Sequence, residues 1–183
     1  MKSMVEISCF LVLKTKMKYT VNKVFTEEEC EQILTTCMKE GEKFYYTEEE
    51  ANSWDCRRIH QKAFKEYILE KLNINHTFGT LKIKDIIISL TKYYDNRRLD
   101  LHLDRISNQT IVIPLTKGYE DGRFVLSRIQ CPLSEAEVKL NLGIGEGVIF
   151  EGNSIYHGVM PVHTGERSAL NIWIDGVNKN KLL

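Results

Sequence analysis

Proline is scarce. Pro114, Pro132 and Pro161 are the only three in 183 residues, and they do not cluster, so no proline-rich linker divides the chain. Internal repeats and low-complexity segments are lacking too, which leaves no sign of a repeat array or a polar tail. Neither sign of charge is in excess, with 25 Lys and Arg against 25 Asp and Glu. That balance removes the general electrostatic case for a nucleic-acid or anionic-membrane partner and leaves only a local patch. The five cysteines (Cys9, Cys30, Cys37, Cys56 and Cys131) are odd in number, scattered, and contain no C-x-x-C pair. A disulfide framework and a zinc knuckle are both excluded, and reduced thiols in a cytoplasmic protein are expected. No apolar run reaches transmembrane length, so no membrane partner is expected. The short run 7–13 follows Glu6, contains Cys9 and lacks a small-residue cleavage site. It is expected to be a first strand or an appended start rather than a secretion signal. No Gly-rich phosphate loop leads from a strand into a helix, and there is no Gly-x-Ser-x-Gly elbow.

What is present is ordinary for a globular chain: 43% apolar and 27% charged residues, enough to bury one core. One domain over 1–183 is expected. Its periodicity changes near Thr80, from helical (a support region, 1–80) to strand-like (a core, 81–176). Thr26 and Glu29 form a capping box, Cys30, Ile33, Leu34, Cys37 and Met38 repeat at helical spacing, and Gly41 marks the stop. A second helix is expected over about 55–72, with Ile59, Ala63, Phe64, Tyr67, Ile68 and Leu72 on one stripe. The acidic run Glu48, Glu49, Glu50 between them reads as a solvated loop. Later come seven short strand candidates, at 85–94, 109–115, 123–128, 138–141, 147–150, 154–159 and 167–174, punctuated by Gly and Asp. Strands without intervening helices imply an antiparallel double sheet. The expected class is α+β, a jelly-roll core with the early helices packed on its outside.

Within the β half, His102-Leu103-Asp104 places an imidazole and a carboxylate at i and i+2, the same face if the segment is a strand. Such a pair suits a borderline divalent metal. Alone it is a weak signal, since five His and seven Asp in this length produce it by chance in roughly one sequence in five. Taken alone, a surface pair beside Arg105 is the better reading. His157 follows 55 residues later, and a third ligand there would complete a 2-His-1-carboxylate face. Beyond the Pro161–Gly165 turn, Arg167, Ala169, Asn171 and Trp173 alternate onto one face. If that face looks inward, Arg167 is a buried cation needing a partner, and a carboxylate ligand fits its fork. The alternative is an exposed Arg167 paired with Glu166 or Glu151.

Here the stretch from Asp85 to Ile174 resembles the catalytic core of the 2-oxoglutarate/Fe(II) oxygenases, in particular the prolyl 4-hydroxylase-like branch. It offers Tyr93 or Tyr94 ahead of His102-x-Asp104, then Asp121-Gly122-Arg123-Phe124, then Gly145-Glu146-Gly147-Val148-Ile149-Phe150. It closes with His157-Gly-Val-Met-Pro-Val-His-Thr-Gly-Glu-Arg167 and with Trp173 six positions later. The resemblance covers about half of the chain. It implies that His102, Asp104 and His157 bind Fe(II), and that Arg167 pairs with the distal carboxylate of 2-oxoglutarate. It also implies a second contact to that carboxylate from Tyr93 or Tyr94, with Asn171 and Trp173 either lining the inner wall or simply filling core. O2 and 2-oxoglutarate are the implied co-substrates, with ascorbate as an optional reductant.

Some positions depart from the pattern. Many prolyl 4-hydroxylases have Lys where this chain has Arg167, the first Gly of the usual pair is Asp121, and the aromatic often found three residues before the first His is Leu99. These departures bear on substrate, not on cofactor. The leading expectation is hydroxylation of a peptidyl residue such as proline, with decarboxylation of 2-oxoglutarate to succinate. A nucleic-acid or small-molecule oxygenase of the same superfamily is the alternative, although the dealkylases usually carry another Arg where Trp173 stands. A non-catalytic metal-binding module is the third. His163 falls in the Pro161–Gly165 turn and is expected to be exposed. His60 and His76 have no partner motif, and Arg97-Arg98 either shape a site mouth or are solvated turn charges. Specificity is expected in loops 42–55, 96–100 and 129–137.

Overall fold

The computed structural model describes residues 17–44, 54–75, 86–105 and 107–174. The N-terminal run 7–13, the acidic run Glu48–Glu50 and His76 lie outside the described residues.

Helix α1 (Glu27–Glu40) starts where the capping box places it. Glu29 N–H donates to Thr26 Oγ1 (3.2 Å), and Thr26 N–H donates back to Glu29 Oε2 (2.9 Å). Three glutamates in its first turn complement the helix dipole. Its buried face carries Cys30, Ile33 and Cys37. Gly41 ends the helix, but by space rather than by a left-handed turn: its φ is −78°, and a Cβ there would overlap Cys37 O and approach Arg57 Cβ to 2.9 Å. Replacing Thr26 with Ala removes the hydroxyl acceptor and is expected to cost about 1 kcal/mol, read as a lower urea midpoint with an unchanged slope.

Helix α2 (Lys62–Asn75) begins later than expected. Residues 55–59 form instead a strand, β3 (Asp55–Ile59), paired from Asp55↔Lys92 to Ile59↔Ile88 with β4 (Ile86–Tyr93). The ladder that β4 offers at this edge outweighs the weak helical stripe of a short segment. Glu29 of the capping box also receives Lys71 and the Tyr67 hydroxyl, tying the two helices together.

The remaining strands are β1 (Tyr19–Lys23), β2 (Glu42–Lys43), β5 (Leu99–His102), β6 (Gln109–Pro114), β7 (Glu120–Asp121) and β8 (Phe124–Ser127). They continue with β9 (Val138–Leu140), β10 (Glu146–Phe150), β11 (Tyr156–Val159), β12 (Val162–Thr164) and β13 (Arg167–Ile174). A seven-stranded sheet runs β1-β10-β6-β13-β4-β3-β2 and a four-stranded one β5-β11-β8-β9, with β12-β7 as a small ribbon. All pairings are antiparallel, and the chain crosses repeatedly from one sheet to the other. This is a double-stranded β-helix with the helices on the outside of the larger sheet.

Alternation along β4, β6 and β13 divides the interior into layers. Ile88, Leu90, Ile111, Ile113, Leu170 and Ile172 face the helices. Tyr93, Val112, Phe124, Phe150, Val159 and Ala169 face the space between the sheets. A smaller cluster around Leu101 and Val125 covers the far side of the four-stranded sheet. The site lies in the middle layer.

Candidate metal centre

His102 ends β5 and His157 sits on β11, and the two are direct cross-strand partners. Their rings lie 4.3 Å apart between centroids. Fifty-five residues of chain therefore close into one contact through strand register. Asp104 reaches the same point by another route. It lies beyond the end of β5, so the shared-face reasoning for i and i+2 does not hold. A loop returns its carboxylate instead, fixed by the Asp104 N–H on Gly152 O at 2.8 Å. Asp104 Oδ2 is 3.4 Å from His157 Nε2, and Oδ1 is 3.9 Å from His102 Nε2.

Each imidazole is oriented by its own backbone. His102 Nδ1 donates to Asp100 O and His157 Nδ1 to Ile155 O, both at 3.0 Å. The Nε2 lone pairs are thereby left for an ion. Phe150 packs edge-on against His157 with centroids 4.7 Å apart, which restricts the ring further. Burial, then the neighbouring His157, holds the His102 pKa below its ordinary value of 6.5, so this ring is neutral at pH 7. Burial by itself would raise the Asp104 carboxyl, but the adjoining His157 imidazole, the Thr110 hydroxyl and His102 keep it below the usual value. One ligand atom from each residue lies within 4.8 Å of the others. Two imidazole nitrogens and a carboxylate oxygen in that arrangement match a divalent first-row metal and leave one side open.

These residues line a cavity of about 1240 Å³ between the sheets. On its wall Arg167, the first residue of β13, stands opposite Tyr93 of β4. Arg167 is only 1% exposed, and its Nε and Nη1 have no hydrogen-bond partner among the described residues. Neither acidic neighbour considered from the sequence serves it: Glu166 pairs with Lys92 at 2.8 Å, and Glu151 accepts from Ser154 Oγ at 2.9 Å. Gly122 (φ +63°) makes room for the cation, since a Cβ there would lie 3.0 Å from Arg167 Cδ and 2.8 Å from Val162 Cγ2. A buried guanidinium with open donors in a cavity is a receptor for an anion.

The structure separates the two tyrosines. Tyr93 is buried in the cavity wall, its hydroxyl pushed up to about 12 by burial despite the nearby Arg167. Tyr94 is turned away, donating to Asp55 Oδ2 at 3.2 Å beneath the Arg97 guanidinium. Asn171 and Trp173 are half-buried on the cavity wall, so they are not plain core. Asn171 Nδ2 donates to Thr91 Oγ1 at 2.9 Å. Arg97 and Arg98 stand at the cavity edge and are paired, with Asp55 (3.8 Å) and Asp100 (3.0 Å). His163 lies on the exposed ribbon strand β12 rather than in a turn, with Nδ1 2.7 Å from Asn96 Oδ1. His60 lies 3.9 Å from Glu42. The sequence reading pointed to loop 42–55 but named neither Phe44 nor Trp54, which reach the cavity from it. It also missed Thr110 beneath Asp104. No local periodicity marks any of the three.

No family model and no curated protein matches this sequence. Solved structures do match the fold. A prolyl-4-hydroxylase from Pseudomonas putida superposes with a TM-score of 0.62 at 16% identity, over 85% of this chain and 91% of that one. The collagen prolyl hydroxylase of Paramecium bursaria Chlorella virus-1, solved with 2-oxoglutarate, gives 0.60 at 15% identity, over 87% and 96%. A 2-oxoglutarate/Fe(II) oxygenase family protein from Burkholderia pseudomallei gives 0.62 at 16%, over 89% and 87%. The chain has the fold of these oxygenases. Among the described residues, no helix is long and apolar enough to cross a membrane.

Proposed function

We propose that this protein is an Fe(II)- and 2-oxoglutarate-dependent dioxygenase that hydroxylates a C–H bond, with His102, Asp104 and His157 as metal ligands. The observation that carries the reading is the co-location, in one cavity, of a three-ligand face and a buried, unsatisfied Arg167. A metal site alone would fit a sensor or a structural role. A buried cation beside it asks for a ligand with a carboxylate at its far end, and 2-oxoglutarate has one. When bound, the iron would activate O2 as the oxidant, with 2-oxoglutarate giving up two electrons and leaving as succinate and CO2, and ascorbate serving as a reductant in the assay.

The chain's own work is binding and orientation. Arg167 holds the distal carboxylate, and the Tyr93 hydroxyl, protonated at any physiological pH, adds a donor beside it. Asn171 and Trp173 shape the wall, while Phe124 and Phe150 on the other side keep water from the reacting face. The substrate is a peptidyl residue such as proline. In support, the cavity exceeds the roughly 300–1,000 Å³ usual for small-molecule sites, leaving room beside the co-substrate for a side chain delivered on a backbone. Prolyl hydroxylases are among the fold neighbours. The cytoplasm is the proposed setting, since the described cysteines form no disulfide and Cys30 and Cys37 are raised by burial to about 11 and 12.

The test is succinate formation by the purified protein with Fe(II), 2-oxoglutarate, O2 and ascorbate. Slow release is expected without substrate, rising severalfold with a proline-bearing peptide that itself gains one oxygen by mass. Succinate without any peptide product would redirect the search to small molecules. No succinate from protein shown to bind both metal and 2-oxoglutarate would leave a binding module.

A further inference from the structure

Asp104 sits in a loop, yet its carboxylate is held as firmly as a residue of the sheet. Thr110, on the interior strand β6, donates its hydroxyl to Asp104 Oδ2. The neighbouring Ser107 hydroxyl, 3.3 Å from Thr110 Oγ1, donates instead to the Gln109 carbonyl. With that proton engaged, the single Thr110 proton is left for Asp104, which as a carboxylate can only accept. Thr110 is itself fixed on both sides, paired with Phe150 on β10 and Trp173 on β13, and is 1% exposed.

Gly152 closes the other side. Its carbonyl receives the Asp104 N–H, and a Cβ on it would overlap both Asp104 Oδ2 and Thr110 Oγ1. Its φ lies outside the left-handed region, so glycine is required here by space and not by backbone conformation. The torsion that turns a carboxylate about its last bond is broad and soft, so the Thr110 hydroxyl on the neighbouring strand is what fixes it.

Resting on the metal reading above, we infer that Thr110 and Gly152 are positioning residues that lock the Asp104 carboxylate toward His102 and His157. Neither belongs to the three-residue ligand group. Thr110 sets the orientation by a hydrogen bond from a rigid strand, and Gly152 does so by leaving the only space in which that orientation fits. A partner of this kind to a metal-bound carboxylate governs how well the ligand face is formed before the metal arrives.

The experiment is Mn(II) titration of the full-length metal-free protein, followed by the loss of the free-ion electron paramagnetic resonance signal, alongside a circular-dichroism melt without metal. Thr110→Val keeps the volume and removes the donor, and is expected to raise the Mn(II) Kd by about 10- to 100-fold. Thr110→Ser restores the donor and should return Kd to near wild type. Gly152→Ala attacks the same carboxylate sterically; it should weaken Mn(II) binding likewise and keeps the inference testable where the valine variant does not fold. A lower metal-free melting temperature with unchanged Mn(II) affinity in folded variants would overturn the inference and leave Thr110 as packing alone. Wild-type protein that takes up no Mn(II) would instead overturn the metal reading on which it stands.

Discussion

Arg167→Ala is expected to weaken 2-oxoglutarate binding by roughly 30- to 5,000-fold, the equivalent of about 2–5 kcal/mol for truncating one side of a buried charge pair, while Mn(II) affinity stays near wild type. The separation follows from geometry. Arg167 lies on β13 opposite Tyr93 and makes no ion pair with Asp104 among the described contacts, so its loss leaves the three ligand residues in place. Arg167→Lys is expected to recover only part of the affinity, because an ammonium offers one point of charge where the guanidinium offers a planar fork. The metal-free protein should respond in the opposite direction. Two of the three Arg167 nitrogens are buried with no partner among the described residues, an arrangement that costs stability until an anion arrives. Arg167→Met fills much of the same volume without the charge and is expected to melt higher than wild type when no ligand is present. Titration of 2-oxoglutarate by calorimetry in the presence of Mn(II), together with melts of the ligand-free forms, checks both halves. Equal 2-oxoglutarate affinity in wild type and Arg167→Ala would remove Arg167 from the site.

His102→Ala, Asp104→Ala and His157→Ala are each expected to abolish the visible charge-transfer absorption that anaerobic Fe(II) and 2-oxoglutarate develop with wild-type protein. Removing a direct ligand should cost more than the roughly 100-fold upper end seen for losing an outer partner. The three are not equivalent structurally. His157 and Asp104 are 4% and 9% exposed, whereas His102 is half-buried at the cavity rim, so His102→Ala is the variant that tests ligation with least disturbance to packing. His163→Ala and His60→Ala are the controls. Both imidazoles are exposed and engaged elsewhere, with Asn96 and Glu42 respectively, and the absorption should survive in both. Acidification has a defined direction. The His102 pKa is held below 6.5, so that ring gains a proton only below this value. Metal uptake is expected to persist at pH 7 and to fall only at a pH under 6.5, because a protonated imidazole cannot ligate. A wild-type protein that develops no absorption at millimolar 2-oxoglutarate would contradict the reading of the cavity as an oxygenase site.

Several features were legible in the sequence because they depend on neighbours a few residues apart. Thr26 and Glu29 announce the start of α1, since a capping box is a three-residue device. The alternation in 167–174 puts Arg167, Ala169, Asn171 and Trp173 on one face and Leu170, Ile172 and Ile174 on the other, and the sheet keeps that division. The turn-punctuated run of short strands implied a double sheet, and the order of His102, Asp104, His157 and Arg167 marked the candidate site. What the sequence by itself determined is therefore periodicity, punctuation and which side chains are candidates for the site.

Tertiary structure decided how those side chains meet. The contact of His102 with His157 rests on the register of β5 against β11, set by hydrogen bonds between strands 55 residues apart, for which no local pattern exists. Asp104 reaches the centre from a loop, through Gly152 and Thr110, and not from the strand face that its spacing suggested. Tyr93 and Tyr94 both remain open in the sequence, and the pairing of β4 with β13 puts Tyr93 rather than Tyr94 beside Arg167, because successive residues of a strand point to opposite faces. Residues 55–59 carry a faint helical stripe, yet they complete the edge of β4. Short segments lack the propensity to resist a ladder offered by a neighbouring strand, so their structure is set by what they pair with.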